Sequence, residues 1–257
     1  MSSENLEAYI ENAENYLKSY TTVAKDRQLT QMELLEACAM FRQRGICSLL
    51  LFGEPKTYHI NTMQSASIYS QGIQKLNDSE IVTSRAKPFY DAIGSMYFDC
   101  AKVIAQNSSM EWKPDYEYED DFLYVKFLMQ YFFLDSGKIE CEKILDGYEK
   151  SLEGANDIKL EICRSYISSD NALFEENILE LLEQISDDIE SKIEQETMPE
   201  EVWAGIRYFS NEGLALLRLA ELKGFNTGVR YPLVPAIVRD DPKIKYNPNA
   251  WQNLDFS

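Results

Sequence analysis

Between Asp115 and Asp121 the chain reads DYEYEDD, five carboxylates in seven residues. Acids this dense can ligate a cation, trade protons with a substrate, meet a basic partner or open a helix. Calcium would want an EF-hand loop, and the central glycine of such a loop is missing. Glycoside cleavage uses a carboxylate pair defined in space, and nothing in the spacing singles one out. Glu140 and Glu142 lie two apart and fall on different faces of a helix. His59 is the single histidine, so a Ser-His-Asp or Cys-His arrangement would have to use it. Its surroundings, KTYHINTM, offer no nucleophile, and it reads as an ordinary histidine near a helix start. A ferritin-like di-iron site needs two Glu-x-x-His motifs. Asp135-Ser136-Gly137-Lys138 lacks phosphate-loop spacing, and no Gly-rich dinucleotide fingerprint appears. The expectation is a protein with no catalytic residues, no metal and no cofactor.

A second set of acids is spaced regularly. In NALFEENILELLEQISDDIESKIEQE, Glu176, Glu180, Glu183, Asp187, Glu190 and Glu194 follow intervals of four and three. On a helix they form one stripe, opposite an apolar face of Ile178, Leu181, Leu182, Ile185, Ile189 and Ile193. Five successive like-charged pairs cost roughly 1–2.5 kcal/mol together at low salt. Solvation explains why that face is polar, not why it carries one sign. Two readings stand, a solvated face and a docking surface for a basic partner. Asp115, Glu117, Glu119, Asp120 and Asp121 form a second candidate contact. One or two of them are accounted for by the macrodipole of the following helix, at about 0.3–1 kcal/mol each.

The whole chain has the same bias. Among 257 residues, 43 acids face 25 bases, a formal net charge of -18. Such a surface repels nucleic acid and anionic lipid, since both need a basic footprint. It attracts basic proteins and speeds the encounter. Five scattered cysteines, with no CxxC pair, argue against a disulfide framework or zinc knuckle and suit a reducing cytoplasm. The acidic, amphipathic start is no signal peptide. No apolar run approaches the roughly 18 residues of a membrane span.

The elements that must position these residues are helical almost throughout. Leu6, Ile10, Ala13, Leu17 and Tyr20 recur at helical spacing. LTQMELLEA predicts a capping box at Thr30 and Glu33, a staple of Leu29 and Leu34, and a stop at Gly53. A third helix covers TYHINTMQSASIYSQGIQKL. A fourth opens near Pro88 and carries Phe89, Ile93, Met96, Tyr97, Cys100 and Ile104. FLYVKFLMQYFFL is too apolar for anything but buried helix, and turns at 135–138 and 153–156 separate its successors. A last long helix starts at TMPEEVW, with Thr197 and Glu200 at capping-box spacing, and ends at Gly224. No repeat of about 34 residues is clean enough for a tetratricopeptide array. These readings give an all-α fold of about nine helices, antiparallel helical hairpins in one bundle or repeat-like domain (1–224). An extended C-terminal tail (225–257) with four prolines packs on it, pinned by Leu233, Val234, Ile237 and Trp251.

GLALLRLAELKGF followed by YPLVPAIV resembles the end of immunity protein family 49 of bacterial polymorphic toxin systems. Ala215, Leu216, Leu217, Ala220, Gly224, Tyr231, Pro232 and Pro235 carry the likeness, and FLMQYFFLDSGKIECEKIL is similar too. The resemblance implies a cytoplasmic antidote that binds the toxic domain of an effector and blocks it, and it transfers no catalytic residue or binding motif. Many such toxins attack nucleic acid and are basic. The expected partner is therefore a cognate toxin protein, neither nucleic acid nor membrane. The alternative is a helical scaffold or regulator that binds an endogenous protein.

Overall fold

The computed structural model describes residues 3–254 and Phe256. Its helices are α1 (Ser3–Asp26), α2 (Gln31–Phe52), α3 (Pro55–Ile73), α4 (Lys87–Gly94), α5 (Phe98–Asn107) and α6 (Glu119–Phe132), then α7 (Lys138–Ser151), α8 (Ile158–Ser168), α9 (Asn171–Glu194), α10 (Glu200–Ile206) and α11 (Asn211–Lys223). Among the described residues there is no strand, and one isolated bridge joins Tyr231 to Val234. The fold is all-α. Consecutive helices pair along α1–α2–α3 and α6–α7–α8–α9, while α11 returns to pack on α4 and α10 leans on α2.

Helix α2 starts as its sequence dictates. The Thr30 hydroxyl accepts the Glu33 N–H at 3.3 Å, and Glu33 accepts the Thr30 N–H at 2.9 Å. Leu29 and Leu34 are both buried, as a staple requires. Gly53 closes the helix in the left-handed region at φ 67°.

Two expected helices are each broken, which turns nine into eleven. The fourth stops at Gly94. Met96 takes φ 59°, its N–H donates to the Ile93 carbonyl, and the Tyr97 N–H donates to Ala92. This is a Schellman closure with methionine where glycine is usual, so the sequence carries no visible stop. Leu214 of α11 presses on the same place: a Cβ on Gly94 would lie 3.2 Å from its Cδ2. The last helix breaks at 207–210, and Ser210 caps α11 by accepting the Gly213 N–H at 3.0 Å. The capping box expected at Thr197 does not form. The cap of α10 falls on Pro199, and the Thr197 hydroxyl donates back to the Lys192 carbonyl.

One apolar core runs from Leu17 to Trp251. The tail reaches it through buried Val234, Val238 and Trp251; Ile237, expected to pin it, is 46% exposed. Trp251 donates to the Gln71 side chain at 3.1 Å, and Arg218 donates to the Val238 and Asp240 carbonyls. Phe256 lies 4.6 Å from the Arg44 guanidinium. All five cysteines are free and buried. Burial pushes Cys38 up to about 12 and Cys100 to about 11, which leaves these thiols unreactive.

Candidate functional site: a charged groove and an acidic helix face

Inside the bundle α2, α3, α4 and α11 meet on one carboxylate. Asp91 is fully buried. Arg42 grips it with two bonds of 2.8 and 2.7 Å, Ser65 donates at 2.5 Å, and Asn211 donates at 2.8 Å. Tyr58 donates in turn to Asn211 at 2.8 Å. A buried ion pair needs every oxygen engaged in this way, because desolvating the two charges costs about as much as their attraction returns.

The outer side of Arg42 opens on a groove. Its larger part, about 770 Å³, lies between α2, the start of α4 and the segment ahead of α6. Beyond Arg42 and Lys87 a second part of about 420 Å³ continues to α9 and α10, lined by Ile46, Ile185, Ile189 and Phe209.

The segment from Lys113 to Asp121 makes one wall. Lys113 donates its ammonium to the Asp78 and Ile81 carbonyls and so anchors the segment. A turn follows, with the Tyr116 and Glu117 N–H groups both donating to the Lys113 carbonyl. It sends Glu117 inward while Asp115, Tyr116 and Tyr118 stay exposed. Glu117 accepts the Ser84 N–H at 2.8 Å, and Trp112 donates to its carbonyl at 3.1 Å. Glu119, Asp120 and Asp121 occupy the first turn of α6, where the helix dipole favours them. Asp115, Glu117 and Asp121 line the groove. Asp121 stays exposed, yet partial desolvation raises its pKa, and Asp120 and Glu212 reinforce the rise against Lys159.

The stripe on α9 faces elsewhere. Glu176, Glu180, Glu183, Asp187 and Glu194 are exposed, and among the described residues none has a cation within ion-pair distance. Glu190 departs from the set: Arg207 grips it with two bonds of 2.7 Å. The groove is lined instead by Ile185, Asp188, Ile189 and Lys192, on the opposite side of the helix. The two acidic sets therefore do not share one concave surface. Glu180 borders a separate cavity of about 430 Å³ beside Arg164.

His59 is buried, and burial together with the Arg218 guanidinium holds its pKa down to about 4. Among the described residues no group of three or more His, Cys, Asp or Glu is arranged to hold a metal ion.

The family model described as Immunity protein 49 matches residues 81–237, well over half of the chain. The chain belongs to that family. No curated protein and no solved structure matches it. The Immunity protein 49 match takes in the 115–121 segment, all of α9 and α11, and the GLALLRLAELKGF stretch. It leaves out α1, α2 and α3. The family residues thus make one wall of the groove, and Met32, Glu36 and Arg42 make the facing wall from outside the match. Lys87 at the waist, the inward turn of Glu117 and the Asp91 cluster were missed in the sequence. An acid inside PFYDAIG was the one available signal for the last of these.

Proposed function

We propose that this protein neutralises a cognate toxin by binding it, in the cytoplasm and with no chemistry of its own. The observation that carries the reading is membership of an immunity-protein family. The exposed, unpaired acids of α9 support an acidic contact surface, and the net charge of -18 supports a basic partner, with nucleases among the candidates. Glu176, Glu180, Glu183, Asp187 and Glu194 are the first contact, and Asp115, Glu117, Glu119, Asp120 and Asp121 the second. Glu190 contributes less, being engaged by Arg207.

The double variant Glu183→Lys/Asp187→Lys tests the reading on the cognate toxin domain, to be sought first among the genes that flank this one. Both positions are exposed, so the fold is unaffected. The association rate at low salt is expected to fall about tenfold or more, and its salt dependence to flatten. Unchanged association at low salt removes the stripe from the interface. Failure of the chain to bind or block that toxin removes the reading itself.

A further inference from the structure

Glu117 is 9% exposed, and the Ser84 N–H engages one of its carboxylate oxygens. The other oxygen, Oε1, is shielded from water and has no hydrogen-bond partner. A carboxylate oxygen left in that state costs free energy until a donor reaches it.

The charges around it are unevenly engaged. Arg42 is held by Asp91, Arg85 donates to the Tyr116 carbonyl, and Glu36 accepts the Tyr20 hydroxyl. Asp115 and Asp121 have no cation within ion-pair distance among the described residues, and Lys87 has no carboxylate there. Three incompletely engaged carboxylates therefore face two cations that have no carboxylate partner among the described residues, the Lys87 ammonium and the Arg85 guanidinium. Tyr116 and Tyr118, 60% and 78% exposed, stand beside them, and tyrosine is enriched where proteins meet. Past Lys87 the groove turns apolar, along Ile46, Ile185 and Ile189.

We propose that this groove receives an arginine side chain from a segment of the bound toxin, its guanidinium meeting Glu117, Asp115 and Asp121 and an apolar neighbour seating among the isoleucines. This rests on the neutralisation reading and names its partner's chemistry. Arginine suits the site better than lysine. Its planar fork offers several N–H donors at once and stacks on tyrosine rings. Lys87 and Arg85 limit the site, since both repel the same cation.

The test titrates the full-length protein with a blocked Leu-Arg-Leu peptide and its citrulline counterpart, followed by amide NMR shifts. Citrulline keeps the shape and removes the charge. The arginine peptide should bind about tenfold more tightly, with shifts centred on Ser84 and 115–121. Glu117→Gln should weaken it about tenfold, and Lys87→Gln should tighten it about threefold. Asp121→Asn, at an exposed site, gives a second weakening variant if Glu117→Gln unfolds. Equal binding of the two peptides, no binding, shifts centred elsewhere, or folded variants with unchanged affinity would each overturn the proposal. Toxin neutralisation by the intact chain is measured separately. A toxin still bound and blocked while the peptides fail would reject the groove and leave the antidote role standing.

Discussion

His59 shows how a single side chain ties this fold to pH. It sits in α3 at 1% exposure, edge-on to Tyr58 with ring centres 5.1 Å apart. Its pKa is held at about 4 by burial first and the Arg218 guanidinium second. In the unfolded chain a histidine titrates near 6.5. Above that pH both states carry a neutral ring and the full stability is present. As pH falls from 6.5 towards 4 the unfolded chain gains a proton that the folded protein refuses, so stability drains away. The window is worth about 3 kcal/mol at most, and below 4 this residue takes nothing further. Urea unfolding of the wild type and His59→Leu at pH 7, 5.5 and 4.5 checks it. The wild type should lose more stability than the variant across the series, and a constant gap would sink the idea. Asp91 is the contrasting residue: its buried charge is compensated on all sides by Arg42, Ser65 and Asn211.

At the level of elements, two threonines with the same local signature have different fates. Thr30 forms its capping box with Glu33, whereas Thr197 is turned back to the Lys192 carbonyl. Thr30→Ala should cost about 1 kcal/mol, a fall in melting temperature of about 2–4 °C. Thr197→Ala should stay within about 0.5 kcal/mol. Melting both variants by circular dichroism decides it, and equal losses would refute the assignment. The pair also marks how far the sequence could be read. Helix identity, the caps of α2 and the glycine stop at Gly224 follow from periodicity and local chemistry, and all are present. The breaks at Met96 and at 207–210 are not local. One depends on Leu214 pressing against Gly94 from 120 positions away in the chain, the other on the Leu233 carbonyl accepting the Ser210 N–H. The candidate site divides the same way. The single sign of the α9 stripe is legible as spacing. The groove needs α2, α4, α9 and the 113–121 turn assembled together, and no window of sequence contains them.

On the scale of the whole molecule the question is whether the tail is part of the body or a strap laid over it. Its contacts argue for the first. Trp251 belongs to the same apolar core that begins at Leu17, and its indole donates to Gln71 of α3. Arg218, itself buried in α11, holds two tail carbonyls. Ser210, which caps α11, donates its own N–H to the tail at Leu233. Loosening the tail therefore uncovers α3 and leaves the Ser210 N–H at the start of α11 without its acceptor. The tail is expected to unfold with the helices in one step. The three tryptophans make this measurable, because Trp112 stands beside the 113–121 turn, Trp203 in α10 and Trp251 in the tail. In a Trp112→Phe/Trp203→Phe variant the emission reports Trp251 alone, while far-ultraviolet circular dichroism reports the helices. Coincident urea midpoints are the outcome expected of one cooperative unit. A Trp251 transition at lower urea, with the helices intact, would instead make residues 225–254 a separately opening layer. Added salt separates contact from charge: it screens the repulsion among 43 acids. If the two are one unit, salt should raise both midpoints together.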